Sequence, residues 1–366
     1  MNKIRIIISG GGTGGHIFPA LAIARAIEKK HKNVDFLFVG AKDRMEMQKI
    51  PAEGYKIIGL WISGLQRKFD LRNLLFPIKV LFSLYSAKKI IKDFKPHLAI
   101  GTGGYASAPL IYAASKLSIP TLIQEQNSFP GITNKILGKY VNKICVAYEK
   151  MERFFPLKKM IFTGNPIRKN ILGFRELQKG DINLFNINKS KETVLILGGS
   201  LGAFSINNAI VKSLNTLKDS GVNIIWQTGI SYFEKATNLI EKHNIKNIYV
   251  CSFIKEMDQA YALSDIIVSR AGAIAISELC YVGKPVILVP SPNVAENHQF
   301  KNAQSLVNKN AAVIVKDAES SRKLVRVMLD LIKNNDLRNS LTKNINKLSV
   351  SDAADKIASI ALKLVK

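Results

Sequence analysis

The sequence predicts an α/β protein of two Rossmann-like domains, each a parallel sheet with helices on its faces. Three observations carry that expectation. The chain opens on an apolar run (residues 4–8), a glycine-rich turn (SGGGTGGH, residues 9–16) and an apolar segment (residues 18–24) that reads as a helix. The same order returns halfway along: residues 194–197 are apolar, GGSLGA fills 198–203, and Ile206, Ile210 and Leu214 mark a helix at four-residue steps. The length of 366 residues exceeds what one core ordinarily organises, and about two domains is the expected number. Continuous apolar runs suit strands buried on both faces of a parallel sheet. A glycine turn between strand and helix presents backbone N–H groups and a helix N-terminus to phosphate.

The elements follow in order. Leu21, Ala24 and Ile27 give the first helix an apolar face, and it runs out in Glu28-Lys29-Lys30-His31. Residues 34–39 form the next strand, closed by Gly40, which completes a β-α-β unit. A strand at 96–100 enters a second glycine turn, GTGGY at 101–105, and a strand at 119–123 ends in Gln124-Glu125-Gln126-Asn127. Polar residues at a strand's C-terminal end stand where α/β sheets bind ligands; a satisfied structural cluster is the duller alternative. Short strands at 143–147 and 160–163 lead to Gly164-Asn165-Pro166-Ile167-Arg168, a turn signal that places the inter-domain hinge there. Further strands are expected at 223–227, 248–251, 265–269, 285–289 and 312–315. Ser269-Arg270-Ala271-Gly272-Ala273 turns into a helix over 274–281, with Glu278 about a turn and a half inside it. Glu296-Asn297-His298-Gln299 again follows a strand. The segment from Ser351 starts like a capped helix, with Ile357, Ile360, Ala361 and Leu364 apolar.

Composition narrows the partners. Hydrophobic residues make up 47% of the chain and the mean hydropathy is +0.08, which suits two packed cores and not a disordered chain. A net charge of +26 favours nucleic acid, an anionic membrane surface or phosphorylated substrates, although a Lys-rich proteome would give the same balance. Nucleic acid would ask for a basic stripe with stacking aromatics or a known module, and neither is visible. Cys145, Cys251 and Cys280 lack metal spacing and lie among apolar neighbours, so they are expected to be reduced core residues of a cytosolic protein. The opening apolar run is too brief for a signal peptide. No uninterrupted apolar segment reaches the ~20 residues of a spanning helix.

The first turn matches G-x-G-x-x-G through Gly10, Gly12 and Gly15. The second strand nevertheless ends Phe38-Val39-Gly40-Ala41, without the acid that holds a nicotinamide ribose; Asp35 lies near its start and Asp43 beyond its end. A dehydrogenase is therefore disfavoured, and the missing Gly-Lys-Ser/Thr removes a P-loop. No D-x-D pair offers itself to a divalent metal, so neither metal nor cofactor is expected. A departing nucleotide's charge then falls to backbone N–H groups, a helix dipole and cations, for which the turn at 198–203, the turn at 270–272 and Arg168 are placed. Between Ser63 and Lys95, Leu74, Leu75, Phe76, Leu81 and Phe82 interleave with Arg72, Lys79 and Lys88. That mixture suits a helix lying in an anionic membrane interface, or a core helix with a solvated basic side.

Seven motifs in order (GGTGGH, GTGGY, EQN at 125–127, GNPIR at 164–168, GGSLGA at 198–203, SRAGAIAISE at 269–278 and ENHQFKNA at 296–303) make nearly the whole chain resemble the N-acetylglucosaminyltransferases of peptidoglycan synthesis. The resemblance implies a GT-B fold: an acceptor and membrane-docking domain at 1–163, a UDP-sugar domain at 164–350, a central cleft, and a C-terminal helix at about 351–366 packing back on the first domain. It implies metal-independent, inverting transfer of N-acetylglucosamine from UDP-N-acetylglucosamine to the muramoyl C4 hydroxyl of lipid I, giving lipid II. The enzyme would be peripheral on the cytoplasmic face of the bacterial inner membrane, with other cell-wall synthesis proteins as candidate partners and no nucleic acid. A GT-B transferase acting on a lipid such as diacylglycerol is the alternative, against which the GGTGGH, EQN and ENHQ combination argues.

Site residues carry over motif by motif. Ser200 would stand at the donor diphosphate, Glu278 would accept from the ribose, and Ala273, Ile274, Ala275, Ile276 and Ser277 would line the helix N-terminus. Ile254 would bracket uracil through its backbone, Arg168 would approach from the hinge, and Gln299 with His298 would reach the sugar hydroxyls. Thr13, Gly14, Gly15 and Asn127 would close over the donor from the first domain. Gly11, Gly12, Gly103, Gly104 and Tyr105 would cradle the acceptor diphosphate. The base that takes the acceptor's proton is His16 or Glu125, and His16 has the further alternatives of binding acceptor phosphate or fixing its loop. Leu74, Leu75, Phe76, Leu81 and Phe82 would enter the membrane while Arg72, Lys79 and Lys88 meet anionic headgroups.

Overall fold

A computed structural model describes residues 3–64, 75–182, 184–185, 187–199 and 201–365, with Asp181 and Ala295 as backbone only. The chain divides into two compact units, Met1–Ile167 with Asp352–Lys366, and Arg168–Ser351.

Unit 1 runs β1 (Ile4–Gly10), α1 (Gly14–Lys30), β2 (Val34–Ala41), α2 (Glu46–Ala52), β3 (Lys56–Leu60), α3 (Phe76–Phe94), β4 (Leu98–Gly103), α4 (Ser107–Lys116), β5 (Thr121–Glu125), α5 (Ile132–Leu137), β6 (Lys143–Val146) and β7 (Met160–Phe162). Its seven strands lie in the order β3-β2-β1-β4-β5-β6-β7, and every neighbouring pair is parallel. Alternation sends Ile6 and Ile8 of β1 into one apolar layer and Ile7 into the other, so both faces of the sheet are covered. Strand order reverses between β1 and β4, which leaves a crevice at their C-terminal ends where the two glycine turns lie.

Unit 2 runs α6 (Lys169–Leu172), β8 (Thr193–Leu197), α7 (Phe204–Lys212), α8 (Leu214–Asp219), β9 (Asn223–Gln227), α9 (Ile230–Lys242), β10 (Ile248–Cys251), α10 (Met257–Leu263), β11 (Ile266–Ser269), α11 (Ala273–Val282), β12 (Val286–Leu288), α12 (His298–Val307), β13 (Val313–Ile314), α13 (Ser320–Lys333) and α14 (Asn335–Asn346). Its six-stranded parallel sheet has the order β10-β9-β8-β11-β12-β13, with the reversal between β8 and β11. The helix read through Ile206, Ile210 and Leu214 breaks at Ser213 into α7 and α8, although all three apolar residues reach one core.

The last helix, α15 (Ala353–Leu364), belongs to unit 1: Ile357, Ala358 and Ala361 are fully buried in the layer that holds Leu21, Ala24 and Ile27 of α1. Its expected cap is not made. Asp352 makes no side-chain bond to the helix start, because its carboxylate pairs with Lys356 at 3.0 Å. The cysteines are unpaired, Cys145 and Cys280 buried but Cys251 only half-buried, and burial pushes each thiol up to about 12.

Because Ile357 fills the contact between α1 and α15, Ile357→Ala should lower the unfolding free energy by about 2–4 kcal/mol, read from urea denaturation.

Candidate active site

In unit 1 the two glycine turns meet around one histidine. Pairing of β1 with β4 slips after Ser9↔Gly101, so that Gly10 pairs with Gly103 and Thr102 stands out of the ladder. Thr102 uses both of its groups on His16: its hydroxyl donates to the His16 carbonyl at 2.8 Å, and its carbonyl lies 2.9 Å from His16 Nδ1. Gln126 Oε1 lies 3.1 Å from the same nitrogen. The Gln126 amide is oriented by its NH2 group, which donates to the carbonyls of Thr102 at 2.7 Å and Gln124 at 3.1 Å. Both neighbours of Nδ1 are therefore acceptors, and the network assigns the proton to Nδ1. His16 Nε2 has no hydrogen-bond partner among the described residues.

Glycine is required at the second turn for a steric reason. A Cβ on Gly103 would lie 2.9 Å from the His16 ring, and one on Gly104 would lie 2.3 Å from the Gly11 carbonyl oxygen. Gly14 and Gly15 are not loop but the first turn of α1, directly N-terminal to His16.

Glu125 is buried and fully engaged. Its Oε1 accepts from the backbone N–H and side-chain amide of Asn127 at 2.9 and 3.1 Å. Its Oε2 accepts from Asn134 Nδ2 at 2.9 Å and the Gly131 N–H at 3.3 Å. Burial pushes its carboxyl up from the ordinary range, opposed by those bonds and by the nearby His16. Four donors fill the acceptor capacity of one carboxylate, so Glu125 shapes the turn over 125–134. Gly12 needs a correction as an anion-binding amide: its N–H already donates to Glu46 Oε2 at 3.0 Å. The Tyr105 ring packs within 3.2 Å of the position a Gly12 Cβ would take.

In unit 2 the turns after β8 and β11 flank the second reversal point. Arg168 donates to both oxygens of Glu278 at 2.7 Å, a bidentate pair around a carboxylate that is itself buried. Two of its lone-pair positions remain for another donor. Gln299 Oε1 accepts from the N–H groups of Ser291 at 2.9 Å and Ala271 at 3.3 Å, which pins two turns and turns its NH2 group away from both. Ala273, Ile274, Ala275, Ile276 and Ser277 are the first half of α11, and His298 opens α12 behind Asn297, whose φ is +52°. Ile254 is buried. Arg270, by contrast, is not poised for a nucleotide: it donates to Asp317, the Val289 carbonyl and Ser205. Ser200 lies outside the described residues, as do Arg72 and Leu74.

On α3 the buried stripe is Ser83, Ala87 and Ile91, while Leu81 (70% exposed), Phe82 (51%) and Tyr85 (70%) face solvent beside exposed Leu75. Phe76 is half-buried and Lys88 exposed. Lys79 is partly committed, donating to Ser63 Oγ at 3.1 Å and standing 5.6 Å from the Trp61 ring centroid. Among the described residues no helix is long and apolar enough to cross a membrane.

Glu46, Gln126, Thr102 and Asn134 are the residues that sequence reasoning missed as parts of the site. Gln126 and Thr102 carried a signal, their places inside the EQN and GTGGY motifs; Glu46 and Asn134 carried none.

Two parallel-sheet units with glycine turns at both reversal points are consistent with the GT-B architecture of nucleotide-sugar glycosyltransferases. Comparison with known proteins agrees. The glycosyltransferase family 28 N-terminal domain matches residues 6–146 and the C-terminal domain of the same family matches residues 193–357. The UDP-N-acetylglucosamine–N-acetylmuramyl-(pentapeptide) pyrophosphoryl-undecaprenol N-acetylglucosamine transferase of Cytophaga hutchinsonii is 52% identical over 361 residues, covering 99% of this chain and 97% of that protein. The Bacteroides fragilis protein of the same name is 49% identical over 367 residues, covering 100% and 97%. The crystal structure of Acinetobacter baumannii MurG superposes with a TM-score of 0.80 at 26% identity, covering 98% of this chain and 99% of that one. The chain belongs to glycosyltransferase family 28 and, within it, to the UDP-N-acetylglucosamine–N-acetylmuramyl-(pentapeptide) pyrophosphoryl-undecaprenol N-acetylglucosamine transferases.

Arg168→Ala strands the buried Glu278 carboxylate and should destabilise unit 2 by about 3 kcal/mol. Adding Glu278→Gln should recover part of that loss, and a urea titration of the single and double variants reads both.

Proposed function

We propose that the chain transfers N-acetylglucosamine from UDP-N-acetylglucosamine to the muramoyl C4 hydroxyl of lipid I, forming lipid II in peptidoglycan synthesis. Full-length identity of about half to transferases of that name supports the activity. The observation that carries it to the residue level is the seating of His16, with Nδ1 donating to Thr102 and Nε2 without a hydrogen-bond partner among the described residues.

An α-linked donor and a β-linked product require direct displacement. The acceptor oxygen attacks the anomeric carbon, the bond from that carbon to the β-phosphate oxygen breaks, and UDP leaves with the electron pair. His16 Nε2 takes the acceptor proton as the new bond forms. Glu125 is a poorer base on this reading, because its oxygens are already occupied. Unit 2 holds the donor: the turn over 198–203 with Ser200 and the start of α11 meet the diphosphate, Glu278 accepts from the ribose, Ile254 brackets uracil through its backbone, and the Gln299 NH2 group, with His298, meets the sugar. Thr13, Gly14, Gly15 and Asn127 belong to the donor from unit 1, while Gly103, Gly104 and Tyr105 serve the acceptor diphosphate.

Lipid I is a membrane lipid, so unit 1 has to reach the bilayer. Leu81 and Phe82, exposed on α3 beside Leu75 and Lys88, are the groups we assign to a peripheral contact with an anionic cytoplasmic surface.

Two outcomes test this reading. His16→Ala should lower the rate of UDP release from UDP-N-acetylglucosamine and a short-chain lipid I analogue by about 10²–10⁴-fold, with donor affinity kept; near-normal turnover removes His16 as base. Leu81→Glu with Phe82→Glu should abolish sedimentation with vesicles containing anionic lipid while leaving turnover of a soluble acceptor analogue intact. Unchanged sedimentation puts the docking surface elsewhere.

A further inference from the structure

We infer that Glu46 is a positioning residue for the acceptor half of the reaction, holding the first glycine turn in the shape on which His16 and the second turn are seated; the inference rests on the transferase reading above. Glu46 opens α2, and its side chain is completely buried. Its Oε1 accepts the Ala41 N–H at 3.0 Å, at the end of β2. Its Oε2 accepts the Gly12 N–H at 3.0 Å, in the turn after β1. Among the described residues it joins no ion pair. A buried carboxylate with only neutral donors is costly to keep.

The surrounding glycines are fitted to this carboxylate. A Cβ on Gly11 would fall 2.2 Å from Glu46 Oε1, and one on Gly40 would fall 2.5 Å from Glu46 Cγ. Gly12 holds φ at +84°, a left-handed backbone that places its N–H on Glu46 and brings its α-carbon under Tyr105. Gly11 in turn offers the carbonyl against which Gly104 packs, and Gly103 meets the His16 ring. The carboxylate is thus the floor of a stack made by the first turn, the second turn and His16.

A purely architectural role does not account for where these bonds end. Strands β1 and β2 are already paired from Ile4↔Val34 to Ser9↔Val39, and apolar layers cover both faces of the sheet without Glu46. Gly12 belongs to the turn and not to the ladder. The carboxylate also consumes the Gly12 N–H, which is therefore not offered to the acceptor.

The test is Glu46→Gln in the full chain, which keeps the shape but faces an NH2 group toward one of the two N–H donors. Expected is a fall in kcat/KM for a short-chain lipid I analogue of about 10–100-fold, the worth of one charge-assisted hydrogen bond. KM for UDP-N-acetylglucosamine and its affinity by titration should stay near wild type although the melting temperature falls by several degrees, because a buried N–H is left facing an NH2 group, and Glu46→Asp should recover part of the loss. Equal losses for donor and acceptor, or no loss at all, overturn the inference. Should Glu46→Gln not fold, Glu46→Asp must show the same acceptor-only loss, and a proportional loss overturns it. Amide exchange at Gly12 separates this inference from the transferase reading: protection in wild type that Glu46→Gln loses supports the clamp even if lipid I proves not to be the acceptor, and unchanged protection overturns it.

Discussion

The hydrogen bond from His16 Nδ1 to the carbonyl of Thr102 is the constraint on which the unit 1 site depends. It joins the helix that leaves β1 to the end of β4 across the place where strand order reverses, and it decides which ring nitrogen donates. The bond is possible because β4 slips one residue against β1, which frees the Thr102 carbonyl from the ladder. It also demands glycine at 103 and 104, since the ring and the first turn occupy the space that side chains there would need. A buried amide network made by Gln124, Gln126 and Asn165 then holds the orientation: Gln124 Nε2 donates to Asn165 Oδ1 at 2.8 Å, and Asn165 Nδ2 donates to the Gln126 carbonyl at 3.0 Å. Such networks are stable only when every member is satisfied.

Unit 2 repeats the topology but solves its polar accounting differently. Where unit 1 buries carboxylates against amides and backbone N–H groups, unit 2 sets Glu278 against Arg168 and Asp317 against Arg270. The first pair lies at the helix that follows β11, where charge still has room to meet a ligand. The second closes on itself through Ser205 and the Val289 carbonyl and serves the scaffold. One topology therefore carries a histidine seated between two glycine turns in one unit and a buried carboxylate paired with an arginine in the other.

Much of the sheet framework was legible in the chain, because apolar runs of four to six residues and glycine turns are local signals. Residues 4–8, 34–39 and 194–197 became β1, β2 and β8 with ends moved by up to two residues. Ile206, Ile210 and Leu214 were legible as core although the helix between them breaks, since burial follows spacing more closely than hydrogen bonding does. The turn at 270–272 was expected to offer a cation to the nucleotide, and nothing in sequence shows that Asp317 stands within reach of Arg270. Glu46 was invisible for the opposite reason: in Arg44-Met45-Glu46-Met47 it has the surroundings of a solvated charge, and only the approach of two strand ends makes it a buried one.

Sequence by itself determined the α/β class and the two-fold recurrence of strand, glycine turn and helix, because periodicity and glycine placement act over a few residues. Tertiary structure alone decided the state of each group. His16 and Thr102 are 86 positions apart, Gly12 and Glu46 are 34, and Arg168 and Glu278 are 110. A proton's location, a carboxylate's burial and an amide's direction depend on neighbours brought together at such separations, and hydrogen bonding and desolvation at those neighbours distinguish one ring nitrogen from the other.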